Sequence, residues 1–329
     1  MFKSKSFLIT GGTGSFGHTL VNKLLHTDIR EIVVFSRDEA KQHFMRQEIS
    51  DPRLRFVLGD IRNYESISRA LYGVDFVFHA AALKQVPASE SFPWEFVQTN
   101  IQGSHNLLLA ISKSTVSNAV FLSTDKAVYP LNAMGMTKAL MEKLVRSDDY
   151  PSNSTSVITR YGNVIGSRGS VIPQFINSIK NHGYVTVTDL NMTRFMMSLE
   201  ESVDLVLFAL ANGSAGDLFV QKSPAATVET IVGALALLFN QTKLEIRNLG
   251  IRPGEKMHET LLTAEEKSLA IEHPKYFQVK KHNQAHSEKE ATGHSQSIEY
   301  TSGNTQILSV TQLAELLAKI PMVAAAIRQ

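Results

Sequence analysis

The chain has no cysteine among its 329 residues. That excludes disulfides, thiolate catalysis and cysteine-ligated metal, and it fits a reducing compartment. Neither sign of charge dominates. Thirty-three Lys+Arg face 31 Asp+Glu for a formal net charge of +2, and the charges are scattered rather than gathered in stripes, which gives nucleic acid no footing. Long apolar runs are missing as well. Stretches such as 234–239 fall far short of the roughly 20 residues that span a bilayer, and the run before Gly11 is too short for a secretory signal. The expectation is a cytoplasmic protein with no membrane and no nucleic-acid partner. What is present is 43% hydrophobic and 19% charged residues, over a length that suits one large or two closely joined domains.

Short runs rich in Val, Ile and Phe recur at 6–10, 31–35, 55–58, 75–79, 119–123, 156–160 and 218–220, with room for a helix between most of them. Strands alternating with helical patterns imply βαβ units and a parallel sheet. Phe16, Leu20, Val21, Leu24 and Leu25 repeat at helical spacing between the first two runs, which predicts a crossover helix with one apolar face. Ile172, Phe175, Ile176 and Ile179 predict another, with Pro173 in its first turn. Beyond about residue 165 the alternation loosens. Residues 1–165 are therefore read as a dinucleotide-binding domain with sheet elements returning around 190–222, and 166–280 as an interleaved substrate lobe. Residues 281–306, dominated by Gln, His, Ser, Thr, Glu and Gly, read as a polar arm. The arm leads to Ser309 and Gln312 at capping-box spacing and to a docking helix bearing Leu313, Leu316, Leu317 and Ile320. Arm and helix are expected to lock onto a neighbouring subunit. His282, His286 and His294 lie in the arm with no carboxylate at a defined spacing, so no metal site is expected.

Thr10-Gly11-Gly12-Thr13-Gly14-Ser15-Phe16-Gly17 follows the first predicted strand and opens the first helix. Gly11, Gly14 and Gly17 are three apart, allowing a tight turn and a close approach of backbone to a pyrophosphate at a helix N-terminus. This GxxGxxG spacing resembles that of short-chain dehydrogenase/reductase proteins. The second strand ends Ser36-Arg37-Asp38, about 20 residues on, where a ribose-binding carboxylate is usual. Ser36 and Arg37 there suit the 2′-phosphate of NADP, while Asp38 keeps NAD open. Asp60, followed by Ile61, can hold the adenine or merely cap a helix. Ala80, Ala81 and Ala82 after His79 are small, as needed where a cofactor lies against backbone.

The segment from Ser123 to Lys138 carries the chemistry. STDKA, AALKQVPASE, TRYGNVIGSRGSVIP, MTRFMM and RPGEKMHE together resemble the extended short-chain dehydrogenase/reductase enzymes, and more narrowly the UDP-N-acetylglucosamine 4,6-dehydratases that invert C5. The likeness spans roughly residues 5–280. It implies an α/β fold, a doubly wound parallel Rossmann sheet with a smaller C-terminal substrate lobe and a C-terminal arm. It also implies a homo-oligomer, with a hexamer expected. In that family a Ser or Thr, a Tyr and a Lys form the oxidation triad, with Tyr and Lys in YxxxK. Here Met134 stands where the Tyr belongs, and Lys138 is retained one helical turn on. A thioether cannot take a proton. The same replacement is a feature of a capsule-type branch that starts UDP-N-acetyl-L-fucosamine synthesis, which the chain resembles.

By that resemblance, Asp125 protonates the departing C6 hydroxyl and Lys126 removes the C5 proton. The chemistry is coherent on its own terms: oxidising C4 acidifies the adjacent C5–H, an acid must help water leave C6, and the cofactor's hydride returns to C6. An adjacent Asp-Lys pair supplies an acid and a base; spacing alone also allows a surface ion pair. Thr124 is expected to hydrogen-bond the C4 oxygen, and Lys84 is a further basic candidate. Tyr129, five residues before Met134, has no assigned role. On the substrate side, Asn163 and Arg168 are expected to open toward a cleft, and Arg194 and Arg252 are planar donors suited to a diphosphate. Glu255, in the turn after Arg252, is expected to hold its guanidinium. UDP as the nucleotide comes from the resemblance. The implied product is UDP-2-acetamido-2,6-dideoxy-β-L-arabino-4-hexulose, from UDP-N-acetylglucosamine, for capsular or surface polysaccharide synthesis. A UDP-sugar 4-epimerase and a catalytically silent nucleotide-sugar-binding subunit stay open as alternatives.

Overall fold

A computed structural model describes residues 2–167, 169–241, 244–281 and 298–328. The first half alternates β1 (Ser6–Thr10), α1 (Ser15–Leu25), β2 (Glu31–Ser36), α2 (Glu39–Glu48), β3 (Leu54–Leu58), α3 (Tyr64–Ala70) and β4 (Phe76–His79). It continues through α4 (Val86–Ser91), α5 (Pro93–Phe96), a π-helical stretch Val97–Gln102, α6 (Gly103–Ser112), β5 (Asn118–Leu122), a short 3₁₀ turn Asp125–Ala127, α7 (Ala133–Arg146) and β6 (Thr155–Arg160). The second half holds β7 (Asn163–Val164), α8 (Val171–His182), β8 (Tyr184–Val187), β9 (Thr193–Met197), α9 (Leu199–Asn212), β10 (Leu218–Gln221), β11 (Ala225–Thr227) and α10 (Val228–Leu238). Last come β12 (Glu245–Asn248), β13 (Thr260–Leu262), α11 (Ala264–Leu269), β14 (Ile271–Glu272), β15 (Tyr276–Val279), β16 (Tyr300–Thr301), α12 (Val310–Ala318) and α13 (Pro321–Arg328).

Nine strands form one sheet in the order β14-β15-β10-β6-β5-β4-β1-β2-β3. All seven strands from β10 to β3 run parallel, and β15 pairs antiparallel at the far edge. A parallel sheet must be covered on both faces, so its strands are apolar throughout. In β1, Phe7 and Ile9 face Leu20, Leu24, Val203 and Val206 of α1 and α9, while Leu8 faces the other core with Ile67, Leu107 and Met141 of α3, α6 and α7. The chain reverses its strand order between β1 and β4, and the carboxyl ends of these strands are where such sheets bind ligands.

A third core fills the C-terminal lobe, built from Ile172, Phe175, Ile176 and Ile179 of α8, Ile231 and Leu235 of α10, Val185 and Val187 of β8, and Leu313 and Leu317 of α12. The predicted capping box opens α12, with Ser309 and Gln312 bonded reciprocally. Three domain expectations need correction. The sheet returns at β10 as predicted, but β9 pairs with β7 and β11 in a separate three-stranded sheet. The large sheet also extends to Val279, because β15 pairs with β10. One face of α12 docks on α10 of its own chain. Likewise, β16 of the expected arm pairs with β13. The three arm histidines lie outside the described residues. Among the described residues no single helix is long and apolar enough to cross a membrane; the bent pair α12 and α13 is apolar because one face fills the lobe core.

Candidate active site

The glycine turn does what its spacing predicts. Gly11 has φ of 67°, and a Cβ there would sit 2.8 Å from the Ala81 amide, so both conformation and space require glycine. A Cβ on Gly17 would press on Gly12 at 2.5 Å, which is how the start of α1 comes to lie against the turn. Gly14 is the N-cap of α1, and no side chain caps that helix. The cradle that only glycine fills, together with an uncapped helix N-terminus, fits the pyrophosphate of a dinucleotide.

Thr10 fixes the opposite wall. Its Oγ1 takes the Ala81 N–H at 3.2 Å and donates to His79 Nδ1 at 2.8 Å. His79 Nε2 in turn donates to Ser104 Oγ at 3.0 Å, and Ser104 donates to the Asn100 carbonyl. This assigns the Nε2–H tautomer, and burial, helped by the charge of Lys138, pushes the imidazole down to about 3. The neutral ring thus ties the Ala80-Ala81-Ala82 segment to β1 and α6. Ile61 is buried against the Cα of Gly103, at the start of α6, where a Cβ would meet it at 2.8 Å.

At the end of β2, Ser36 Oγ bonds Thr13 Oγ1 at 3.0 Å. Asp38, which kept NAD open, caps α2 through the Lys41 N–H and pairs with the Lys41 amine. Arg37 is half exposed, with Asp60 4.0 Å away. Asp60 itself is occupied by Arg62. Burial works to raise its pKa, but the Arg62 hydrogen bonds outweigh it and hold the carboxyl below the usual range. Asp60 is thus held as a carboxylate by a guanidinium pair.

Past β5, Thr124 caps the 3₁₀ turn, and its hydroxyl donates to Asp125 Oδ1 at 2.8 Å. That bond occupies the hydroxyl proton and leaves the oxygen's lone pairs as acceptors. Lys126 Nζ donates to the same Oδ1 at 3.0 Å, and Glu259 Oε1 lies 3.4 Å from the amine on another side. Asp125 is fully buried and Glu259 nearly so, and Oδ2 of one and Oε2 of the other have no hydrogen-bond partner among the described residues. Burial opposes the charge on Lys126, but Asp125 and Glu259 prevail over it and over Arg194, holding the amine above the usual lysine range. Lys126 rests as an ammonium.

Asn132 caps α7 through the Gly135 N–H, and the backbone of Gly135 lies against the Lys126 carbonyl so closely that a Cβ would collide with it. Met134 is buried on the first turn of α7, and Lys138 is buried one turn on. The described acceptor of Lys138 Nζ is the Met141 sulfur at 3.0 Å. Burial lowers the amine to about 8, with Glu142 acting weakly the other way. Neither nearby tyrosine replaces the missing phenol. Tyr129 is 54% exposed in a left-handed conformation at φ 44°. Tyr161 is raised by burial, so its phenol keeps its proton. The far end of α7 is anchored by Glu142, which takes Arg160 and Ser123, while Arg160 also takes Glu266.

The substrate side departs furthest from expectation. Arg194 spends Nη1 on the carbonyls of Thr193 and Lys256, and its Nε lies 3.9 Å from Glu259, so it builds the wall of the site instead of offering a free diphosphate fork. Arg252 is exposed, and Glu255 does not grip its guanidinium; Glu255 Oε2 is buried without a partner. Asn163 Oδ1 is buried and unpartnered too. Lys84 is exposed in the loop after β4, and Arg168 lies outside the described residues. The turn Pro253-Gly254-Glu255-Lys256 does reach the catalytic loop, through Asn132 Nδ2 to the Gly254 carbonyl and Lys256 Nζ to the Val128 carbonyl. Glu259 was missed by sequence reasoning although it ends the RPGEKMHE motif, because no spacing links it to Lys126.

A doubly wound sheet with a glycine cradle and a buried Asp-Lys ion pair at the carboxyl ends of its strands defines a Rossmann enzyme of the extended short-chain dehydrogenase/reductase type. Comparison narrows the class. Residues 7–281 match the polysaccharide biosynthesis protein family, and the chain belongs to that family of nucleotide-sugar dehydratases and epimerases. A UDP-glucose 4-epimerase of Rickettsia conorii is 48% identical over 335 residues, covering 98% of each chain. Among solved structures, Pen from Bacillus thuringiensis superposes with a TM-score of 0.89 at 35% identity, covering 97% of this chain and 99% of that one. DesIV, a dTDP-glucose 4,6-dehydratase from Streptomyces venezuelae solved with NAD bound, gives 0.71 at 25% identity over 77% and 86%.

Proposed function

We propose that the chain is an NADP-dependent UDP-N-acetylglucosamine 4,6-dehydratase that inverts C5. The observation that carries this reading is the buried Asp125-Lys126 pair, placed after β5, two strands from the β1 that leads into the glycine turn, and accompanied by two buried carboxylate oxygens with no partner among the described residues. A nicotinamide held there would supply redox chemistry, as acceptor of the C4 hydride and its donor to C6. Gly11, Gly14 and the start of α1 would hold its pyrophosphate, and Arg37 its 2′-phosphate.

The remaining work is proton transfer by side chains. Lys138 is the basic group one turn from Met134, and we assign it the proton of the C4 hydroxyl. The Asp125-Lys126 ion pair becomes an acid and a base by passing one proton along the 3.0 Å hydrogen bond from Lys126 Nζ to Asp125 Oδ1. The neutral amine then takes the C5 proton, and the C5–H electron pair enters the C4 enolate. As the C6–O bond breaks, Asp125 gives its proton to the hydroxyl, which leaves as water. The pair ends as ammonium and carboxylate, the state in which it began. Hydride return to C6 of the resulting enone would leave a C4–C5 enolate, and a proton taken from solvent at C5 on the opposite face completes inversion.

The second reading is a UDP-sugar 4-epimerase, favoured by the name of the Rickettsia relative. Mass spectrometry of UDP-N-acetylglucosamine after incubation with enzyme and NADP separates the two. A dehydratase yields a product lighter by one water; an isobaric product means epimerase, and an unchanged substrate despite binding means a silent subunit.

A further inference from the structure

We propose that Glu259 is a positioning residue: from the substrate lobe it grips the Lys126 amine opposite Asp125, and so sets the aim and base strength of the group that works at C5. The inference rests on the dehydratase reading and adds to it a residue that neither the motif chemistry nor the glycine turn identifies.

The geometry is specific. Lys126 Nζ lies between two buried carboxylates, Asp125 at 3.0 Å on its own turn and Glu259 at 3.4 Å from the segment leading into β13. The other charged groups around it are Arg194 of β9, 3.9 Å from the same Glu259 oxygen, and Lys256, whose amine is spent on the Val128 carbonyl. Glu259 is held by its backbone. Its N–H donates to Ser302 Oγ at 2.8 Å, its carbonyl takes the Ser302 N–H at 2.8 Å, and Ser302 Oγ bonds Thr193 Oγ1 at 2.6 Å. The carboxylate is thus fixed from the C-terminal segment and β9, while Asp125 is fixed from the large sheet through the Tyr161 carbonyl. Lys126 is the ionic link between the two halves of the site. A buried carboxylate with an idle Oε2 costs desolvation free energy unless its charge is used. Here it stabilises the protonated amine, which makes the neutral amine a stronger base.

The test is a titration of Lys126 by NMR in protein labelled at lysine Cε and Nζ, alongside the pH dependence of C5 deuterium exchange in UDP-N-acetylglucosamine. Glu259→Gln removes an opposite charge within contact, so the Lys126 titration should fall by about one pH unit. The acid limb of the exchange profile should move down with it, the plateau should drop several-fold, and KM should change little. A role in folding alone moves neither the titration nor the limb. An unmoved Lys126 titration overturns the proposal. If Glu259→Gln does not fold, Glu259→Asp serves, since pulling the charge back by one methylene must still lower the titration. No exchange in the unaltered chain sinks the dehydratase reading by itself, and the Lys126 titration in the variant still decides whether Glu259 sets that amine.

Discussion

Lys138→Met should stabilise the cofactor-free protein while abolishing turnover. Lys138 is buried with a thioether as its described acceptor, and its amine is lowered from 10.5 to about 8. Moving a lysine that far costs about 3 kcal/mol in the charged folded state, at 1.36 kcal/mol per pH unit. For a basic group depressed on folding, the unfolded chain binds more protons between the two values, so stability rises with pH across that window. The penalty is fully present below about pH 8 and fades as pH approaches 10.5. Methionine matches the stem of lysine and brings no charge. The variant should therefore gain about 3 kcal/mol at pH 7, about 2 at pH 9 and under about 1 at pH 10. Urea unfolding followed by circular dichroism at those three pH values measures the gain. A gain independent of pH, or a variant less stable at pH 7, would refute the assignment of a strained ammonium to this site.

Three further outcomes follow from the same geometry. Arg160→Ala leaves Glu142 and Glu266 buried without their shared cation and should cost about 3–5 kcal/mol. Because Arg160 helps hold Glu266 below the usual carboxylate range against the opposing effect of burial, the loss should be largest at neutral pH and shrink as pH falls through that range, as urea midpoints will show. Gly135→Ala pushes a methyl into the Lys126 carbonyl, so turnover should collapse for about 1–3 kcal/mol of stability; unchanged turnover would mean the 3₁₀ turn is not held by α7. Arg37→Ala should weaken NADP binding by about 1.5–3 kcal/mol and leave NAD nearly untouched, which calorimetry with both dinucleotides checks.

How much was legible in the sequence depended on whether a feature was local. The glycine turn, the strands from Ser6 to Arg160 and the capping box at Ser309 are set by neighbours in the chain, and the fold places them as the sequence predicts. The Asp125-Lys126 contact is local too. What the sequence did not disclose lies far apart along the chain. Glu259 reaches Lys126 across 133 positions, and Arg194 loses its fork to carbonyls 62 and 63 residues on, a loss visible only when β9 and the Lys256 turn meet. The Glu255 expectation failed for the opposite reason: proximity in the chain did not bring its carboxylate to the Arg252 guanidinium, because the turn directs it into the protein. Polarity misled in the expected arm, where Tyr300–Thr301 pairs as a strand with β13, while the apolar helix face after it is as the sequence predicts.

Proton NMR of UDP-N-acetylglucosamine incubated with the enzyme and NADP in D₂O tests the central claim most directly. The account predicts a new C6 methyl resonance, deuterium at C5, and the couplings of an L-configured 4-keto sugar. A substrate that keeps its C6 hydroxymethyl signal and its C5 proton while binding to the protein would contradict it.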